Sequence, residues 1–191
     1  AMAAVIGELK KYIKIPFGVN VLWDGEKTLD LAQACGASFV REIYSGVYAS
    51  DFGLWNTNSG MVARHKKGIH AENVKMIFNI LPEAAKYLAD RDIVEVAKTT
   101  VFNCKPDAVC VSGLTAGAQT NTQVLARVKE AVPDMVVLAN TGCRPETIEN
   151  QLSIADGAVV GTTFKVDGKF ENEVDESRVK NFMEVVKNFR N

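Results

Sequence analysis

Short apolar runs alternate with amphipathic stretches along this chain. The runs at residues 108–112 and 158–160 are almost continuously apolar, which is typical of parallel strands buried on both faces. In the stretches between the runs, apolar residues recur three and four positions apart, which is typical of helices that bury one face. The pattern therefore predicts strands that alternate with helices in one parallel sheet, joined by right-handed crossovers.

Six strands are predicted, each followed by helical material, after one leading helix at residues 3–13. The strands are placed at residues 15–22, 38–44, 74–80, 108–112, 136–139 and 159–160. The helices are placed at residues 28–35, 59–67 and 145–152, before residues 103 and 132, and from residue 175. Asp90 or Asp92 caps the helix that ends near residue 103, and Thr120 or Asn121 caps the one that ends near residue 132.

The last two strands end in similar turns. Residues 158–160 are apolar and lead into Gly161, Thr162 and Thr163, and the run at residues 136–139 likewise leads into Gly142. Glycine lets backbone N–H groups approach an anion, and hydroxyl groups add further donors. A third turn of this kind begins at Gly113. These turns predict a phosphate site; the alternative is that the glycines only permit tight connections between strands and helices.

Six strand–helix units with paired phosphate-type turns at the end favour a (β/α)8 barrel, of which this chain supplies about six units in a single domain. A whole barrel takes about 250 residues and places phosphate after its seventh and eighth strands, so the first two strands are expected to be absent. The two open sheet edges would then invite pairing with another chain, and a homo-oligomer is one expectation. A doubly wound open sheet is the alternative, although no Gly-x-Gly-x-x-Gly follows the first strand.

Composition narrows the class of protein. The formal net charge is −1 and the charges are mixed along the chain, so no basic face for nucleic acid is predicted. No apolar run approaches the ~18 residues of a membrane span, and no signal peptide is predicted at residues 1–5. The four cysteines form no Cys-x-x-Cys pair. We therefore expect a cytoplasmic protein with free thiols, without a metal site, although carboxylates could hold Mg²⁺ with a phosphate ligand.

In a barrel, reactive side chains lie at the carboxyl ends of the strands. Polar residues at these ends are candidates for contacts with substrate hydroxyl or carboxylate groups: Asn20, Asn79, Ser112 and Asn140. Alternation along a strand separates Arg41 from Glu42, so only one of them points into the barrel. An arginine inside a barrel needs an anionic partner, which is either a ligand or a neighbouring acid.

Asp51 and Glu83 are the candidate acid–base groups. Asp51 lies in a predicted long loop at residues 45–58, whose aromatic residues argue against disorder. A carboxylate exchanges protons with a substrate once removal from water raises its pKa. The alternatives are that Asp51 only shapes a turn and that Glu83 only starts a surface helix after Pro82.

Five stretches of the chain resemble the BtpA/SgcQ family, most closely its SgcQ branch. They are IPFGVNVLWD at residues 15–24, FVREIYSGVYASDFG at 39–53, VSGLTAG at 111–117, VLANTG at 137–142 and TTFKVDG at 162–168. The resemblance implies a (β/α)8 barrel of about 260 residues, of which this chain begins inside the second helix, and it implies that Arg41 points inward. Many members carry an Asp at the end of the fifth strand and then Lys-His-Ala, where this chain has Asn79 and Glu83-Ala84-Ala85.

The resemblance attaches no secure reaction to the chain, since one branch is associated with photosystem I accumulation and the other lies among sugar-uptake genes. Together with the strand-end residues, it favours an enzyme of isomerase, epimerase or lyase type that acts on a small phosphorylated metabolite, plausibly a sugar phosphate. The alternative is a non-enzymatic assembly or regulatory factor, whose partner surface would be the aromatic residues Tyr44, Tyr48, Phe52 and Trp55.

Overall fold

The computed structural model describes residues 1–113 and 118–191, and its centre is a curled sheet of six parallel strands. Nine strands occur in the described ranges: β1 (Gly18–Val19), β2 (Phe39–Glu42), β3 (Val47–Ser50), β4 (Gly53–Asn56), β5 (Lys75–Leu81), β6 (Ala85–Tyr87), β7 (Ala108–Ser112), β8 (Val137–Asn140) and β9 (Gly157–Val159). The large sheet has the order β1-β2-β5-β7-β8-β9. Its parallel strands follow chain order without a reversal, so the doubly wound alternative is wrong and the half-barrel prediction is confirmed.

Seven α-helices occur in the described ranges. They are α1 (Met2–Leu9), α2 (Gly25–Cys35), α3 (Ser59–Gly68), α4 (Ile93–Cys104), α5 (Thr122–Ala131), α6 (Ile148–Leu152) and α7 (Glu176–Arg190). The caps are Asp92 for α4 and Asn121 for α5, because their side-chain oxygens accept hydrogen bonds from the first backbone N–H groups of those helices. Asp175 caps α7 in the same way. None of the helices in the described ranges has the length and apolar character that crossing a membrane requires.

The first predicted strand is much shorter than expected. Only Gly18 and Val19 pair with β2. After them, the backbone N–H and C=O of Val21 both bond to the hydroxyl of Thr28 on α2. Since the N–H and C=O of Val21 bond to this side chain, they do not continue the backbone hydrogen bonding between β1 and β2. The chain instead turns through Trp23, which has a positive φ of 70°, and presents residues 20–24 at the carboxyl edge of the sheet.

The predicted loop at residues 45–58 is a β-hairpin, which corrects the sequence-based assignment. Strands β3 and β4 pair antiparallel, and β6 adds to the other side of β3. Tyr48 lies opposite both Trp55 and Tyr87 in this small sheet. The segment after Pro82 is therefore a strand, so the proposal that Glu83 starts a surface helix is wrong. Alternation in the hairpin is hidden in the sequence because apolar residues occupy both of its faces, Tyr48 and Trp55 on one and Ala49 and Leu54 on the other.

The core lies between the outer face of the large sheet and the helices. Its largest contributors include Val40, Phe78, Val109, Leu125 and Phe182, which are all nearly inaccessible to solvent. Each such side chain stabilises the fold by about 1.5–3 kcal/mol relative to an exposed one. Because the helices cover this face, the carboxyl edge of the sheet is left to polar residues.

Candidate functional site

Arg41 lies on the concave face of the large sheet. Its Nη1 donates a hydrogen bond of 3.1 Å to Oδ1 of Asn140, although β5 and β7 separate the two strands in the sheet. A side chain reaches across two intervening strands only from the inside of a curled sheet. Arg41 therefore points inward, as the resemblance implied, and its partner is a neutral amide rather than an acid.

Three further polar side chains join Arg41 in one network. Asn140 donates from Nδ2 to Oγ of Ser112 at 2.6 Å, and Ser112 donates to Oδ1 of Asn79 at 3.1 Å. Ser112 and Asn140 are almost fully buried, while Arg41 and Asn79 are partly accessible. Ser112 and Asn140 thus form a floor beneath Arg41 and Asn79. The floor fixes the orientation of these two side chains, which a ligand can reach.

Glu42 is a buried carboxylate whose role in the site the sequence did not indicate. It is 5% exposed and accepts hydrogen bonds from Nδ2 of Asn20 at 2.7 Å, from the amide of Trp23 at 3.0 Å and from that of Ile43 at 2.8 Å. Burial raises the pKa of Glu42 even though these donors oppose the shift. The carboxylate therefore ties residues 20–23 to β2 and positions Asn20. No sequence motif marks this role, because it depends on a backbone turn.

The raised pKa of Glu42 has a measurable consequence. Since the folded state holds this proton more tightly than the unfolded state, the contribution of Glu42 to stability is complete below its ordinary pKa of 4.5 and is lost as the pH rises through the folded value. As the pH rises from 4.5 to the folded pKa of Glu42, we expect the free energy of unfolding of the wild-type protein to fall relative to that of Glu42→Gln. Urea unfolding of both proteins between pH 4 and 8 measures the difference, and a constant difference would contradict the assignment.

Arg41 and Asn79 open into an aromatic cavity of about 490 Å³ at the carboxyl edge of the sheet. We use the name aromatic cavity for the space lined by Asn20, Leu22, Trp23, Arg41, Glu42, Ile43, Ser50, Phe52, Trp55, Asn79, Pro82, Glu83, Ala84 and Phe170. Trp23 packs against Trp55 with ring centroids 4.5 Å apart, and against the edge of Phe52 at 5.3 Å. The hairpin thus supplies one wall of the cavity.

Two of the aromatic residues that we considered for a partner surface do not lie on the surface. Tyr44 and Tyr48 are only 1% and 2% exposed. Their hydroxyl groups have no hydrogen-bond partner among the described residues. These tyrosines belong to the packing beneath the hairpin, and Phe52 is the exposed member of the set.

The two candidate acid–base residues occupy different environments. Glu83 lines the aromatic cavity and is half-buried, so that burial raises the pKa of its carboxyl group while the nearby charge of Arg41 lowers it. Asp51 lies in the exposed turn between β3 and β4. Its neighbours Ser50 and Phe52 line the aromatic cavity, but Asp51 does not. The geometry therefore favours Glu83 as the group that exchanges protons.

A second cavity of about 420 Å³ lies at the ends of β8 and β9, and we call it the phosphate cavity. Its lining includes four of the five predicted phosphate-binding residues, Gly142, Gly161, Thr162 and Thr163. Within the described chain, the amide N–H groups of these four residues donate to no acceptor. Unused amides that line a concave space are the donors that an oxyanion requires.

Arg178 is a further residue of the phosphate cavity that the sequence did not indicate. Its Nε donates to the carbonyl oxygen of Thr163 at 2.8 Å, which holds the guanidinium at the cavity wall. The hydroxyl of Thr163 donates to the carbonyl oxygen of Cys143 and so joins the two turns. Phe164 packs edge-on against Phe182 of α7. The start of α7 therefore brings a cation to the turn after β9, a contact that sequence spacing does not reveal.

Gly113, the fifth predicted phosphate ligand, has a packing role in the described structure. Its amide donates to Oγ1 of Thr141 at 3.0 Å, and a Cβ at this position would lie 2.2 Å from the carbonyl oxygen of Ala118. Gly113 does not line the phosphate cavity. The rest of that predicted turn, residues 114–117, lies outside the described residues.

Burial disfavours the nucleophilic thiolate form of Cys110 and Cys143. All four cysteines are free, and burial raises the pKa of Cys110 to about 12 and that of Cys143 to about 11. A thiol with so high a pKa holds almost no thiolate at neutral pH. In the described ranges, no group of three or more His, Cys, Asp or Glu side chains is arranged to hold a metal ion.

The family model described as the BtpA family matches residues 1–188, which is nearly the whole chain. The chain belongs to the BtpA family. It is 61% identical over 190 residues to the sgc region protein SgcQ of Escherichia coli (strain K12), and the match covers all of this chain and 71% of SgcQ. It is 26% identical over 188 residues to the photosystem I biogenesis protein BtpA of Synechocystis sp., covering 97% of this chain and 65% of that protein.

Solved structures support the fold of this BtpA-family chain. Phosphoribosyl anthranilate isomerase from Thermococcus kodakaraensis superposes with a TM-score of 0.66 at 16% identity, covering 97% of this chain and 81% of the isomerase. Thiamine phosphate pyrophosphorylase from Pyrococcus furiosus gives 0.64 at 14% identity, covering 99% of this chain and 75% of that enzyme. Both are TIM-barrel-type proteins, and at such identities the likeness concerns the fold alone.

Proposed function

We propose that this BtpA-family protein is an enzyme that acts on a small phosphorylated metabolite. The observation that carries the proposal is the set of unused amides at Gly142 and Gly161–Thr163, which line the phosphate cavity beside Arg178. The fold neighbours named above act on phosphorylated compounds according to their names, which fits this assignment. A cytoplasmic location and the use of no resident cofactor are parts of the same proposal.

Chemistry takes place in the aromatic cavity in this proposal. Arg41, held by Asn140, stabilises negative charge that develops on a substrate oxygen. Glu83, whose pKa burial raises, takes a proton from the substrate as a carboxylate and returns one as an acid. The enzyme ends in its starting protonation state, which suits isomerisation, epimerisation or retro-aldol cleavage. Asn20 and Asn79 hold the hydroxyl or carbonyl groups of the substrate in place.

The first test concerns Arg178 and inorganic phosphate. Arg178→Ala removes the only guanidinium that is bonded to the turn after β9 within the described residues, and a charge-assisted contact of this kind is worth about 1.5–3 kcal/mol. We expect phosphate affinity, measured by isothermal titration calorimetry, to fall by at least tenfold. Arg190→Ala, at the exposed end of α7, is the matched control and should leave the affinity unchanged.

The same experiment separates the proposed enzyme from a non-enzymatic factor. The exposed Phe52 and Leu54 on the hairpin, 72% and 64% accessible, are the observation that favours a partner surface there. A wild-type protein that binds no phosphate or sulfate at millimolar concentration would overturn the enzyme proposal. A non-enzymatic factor that binds its partner through the hairpin would then be the better explanation of the exposed residues.

A further inference from the structure

The aromatic cavity and the phosphate cavity are neighbours. They share one segment, since Gly168 lines the phosphate cavity and Phe170 lines the aromatic cavity. A second connection runs through the floor, where Arg41 bonds Asn140, which lies two residues before Gly142 in the chain. Two residues of extended chain span at most about 7 Å. The shared segment and the bonded floor place the two cavities side by side, as a single ligand that enters both requires.

The walls of the aromatic cavity are built for a flat group. Rings come from three separate parts of the chain: Trp23 after β1, Phe52 and Trp55 on the hairpin, and Phe170 in the segment after β9. Phe170 is 67% exposed. Lys165 places its Nζ over the ring, 5.9 Å from the centroid, and no ring-to-ring pair buries Phe170 among the described residues. A large exposed ring at the mouth of a cavity gains burial when a planar ligand stacks on it.

The cavity also offers a matched donor and acceptor. Asn20 donates both Nδ2 hydrogens, to Glu42 and to the carbonyl oxygen of Arg41, and its Oδ1 accepts no hydrogen bond from a described residue. The opposite holds for Asn79, whose Oδ1 accepts from Ser112 while its Nδ2 has no acceptor in that part of the chain. Amide side chains with a free donor or acceptor pair with the polar edges of heteroaromatic rings.

We propose that the ligand is a nucleotide-type compound, with its phosphate in the phosphate cavity and a heteroaromatic ring in the aromatic cavity. This inference rests on the proposed function, and it narrows the substrate from phosphorylated metabolites in general to those that carry a flat, unsaturated ring. Phe170 is the residue that selects such ligands, because it closes the aromatic cavity from the same segment that contributes Gly168 to the phosphate cavity.

Calorimetry with three kinds of probe tests the proposal on the full chain. The probes are the four ribonucleoside 5′-monophosphates, ribose 5-phosphate and inorganic phosphate. Stacking of one base on an aromatic side chain raises affinity by about 5- to 150-fold, which corresponds to about 1–3 kcal/mol. We expect at least one nucleotide to bind tenfold more tightly than ribose 5-phosphate, and Phe170→Ala to remove that advantage while leaving phosphate affinity unchanged.

Phe102→Ala is the matched control, because Phe102 is an exposed ring (81% accessible) on α4 that lines neither cavity. It should preserve the preference for the nucleotide. The inference is overturned if ribose 5-phosphate binds as well as every nucleotide, or if Phe170→Ala leaves the preference intact; phosphate binding would then still support the proposed function. If inorganic phosphate and all nucleotides fail to bind the wild-type protein, both proposals fail together.

Discussion

Gly142→Ala is expected to lower the free energy of unfolding by about 3 kcal/mol. Gly142 has a φ of 64°, a conformation that costs a residue with a Cβ about 1–2 kcal/mol. The new Cβ would also lie 2.4 Å from backbone atoms of Ala118 and Gln119, and backbone cannot rotate away as a side chain can. Because the strain falls on the turn after β8, phosphate affinity should decrease as well. Urea unfolding and phosphate calorimetry measure the two effects.

Gly161→Ala provides the comparison for Gly142. Gly161 has a φ of −135°, and a Cβ added there would meet no atom within 4 Å. The stability of this variant should stay within about 0.5 kcal/mol of the wild type. If Gly142→Ala were equally harmless, the glycine would not be required by the turn, and our account of the end of β8 would be wrong.

Arg41→Ala is expected to reduce turnover of the eventual substrate by at least ~100-fold, since removal of one group that stabilises transition-state charge has effects of this size. Phosphate affinity should remain close to that of the wild type, because Arg41 does not line the phosphate cavity. The pKa of Glu83 should rise further, since the charge of Arg41 lowers it in the intact protein. An NMR titration of the Glu83 carboxyl carbon observes this shift without any knowledge of the substrate.

Arg41→Lys is the companion variant, because it keeps the positive charge and loses the planar guanidinium that reaches Asn140. It should keep the pKa of Glu83 lower than in Arg41→Ala. Full activity in Arg41→Ala, or an unchanged titration of Glu83, would show that Arg41 serves the stability of the sheet rather than the chemistry of the aromatic cavity.

Several features of the site follow from sequence patterns of short range. The apolar runs located the parallel strands to within a few residues, because a strand buried on both faces leaves a continuous signal. The paired turns at Gly142 and Gly161–Thr163 were found because equivalent parallel strands end at the same edge of the sheet. Alternation and the family resemblance together placed Arg41 inside.

Other features depend on residues that are distant in sequence. The roles of Glu42 and Arg178 rest on hydrogen bonds to backbone groups of Trp23 and Thr163. Every residue type offers the same backbone groups, so such a bond cannot be predicted from the type of its partner residue. The hairpin at residues 47–56 escaped prediction because apolar residues lie on both of its faces, with Tyr48 and Trp55 on the packed face and Ala49 and Leu54 on the exposed one. Its strands therefore lack the alternation of apolar and polar positions that marks a half-buried sheet.

The sequence by itself determined the family, through its motifs, and the parallel half-barrel, through local periodicity. The ends of its strands also indicated the edge of the sheet where we propose that ligands bind. Only the tertiary structure decided that Glu83 lies in a cavity while Asp51 lies in an exposed turn. It also decided that Gly168 lines the phosphate cavity while Phe170, two residues later, lines the aromatic cavity. Burial and the meeting of distant segments set these outcomes, and both arise only when the sheet curls and closes the space above its edge.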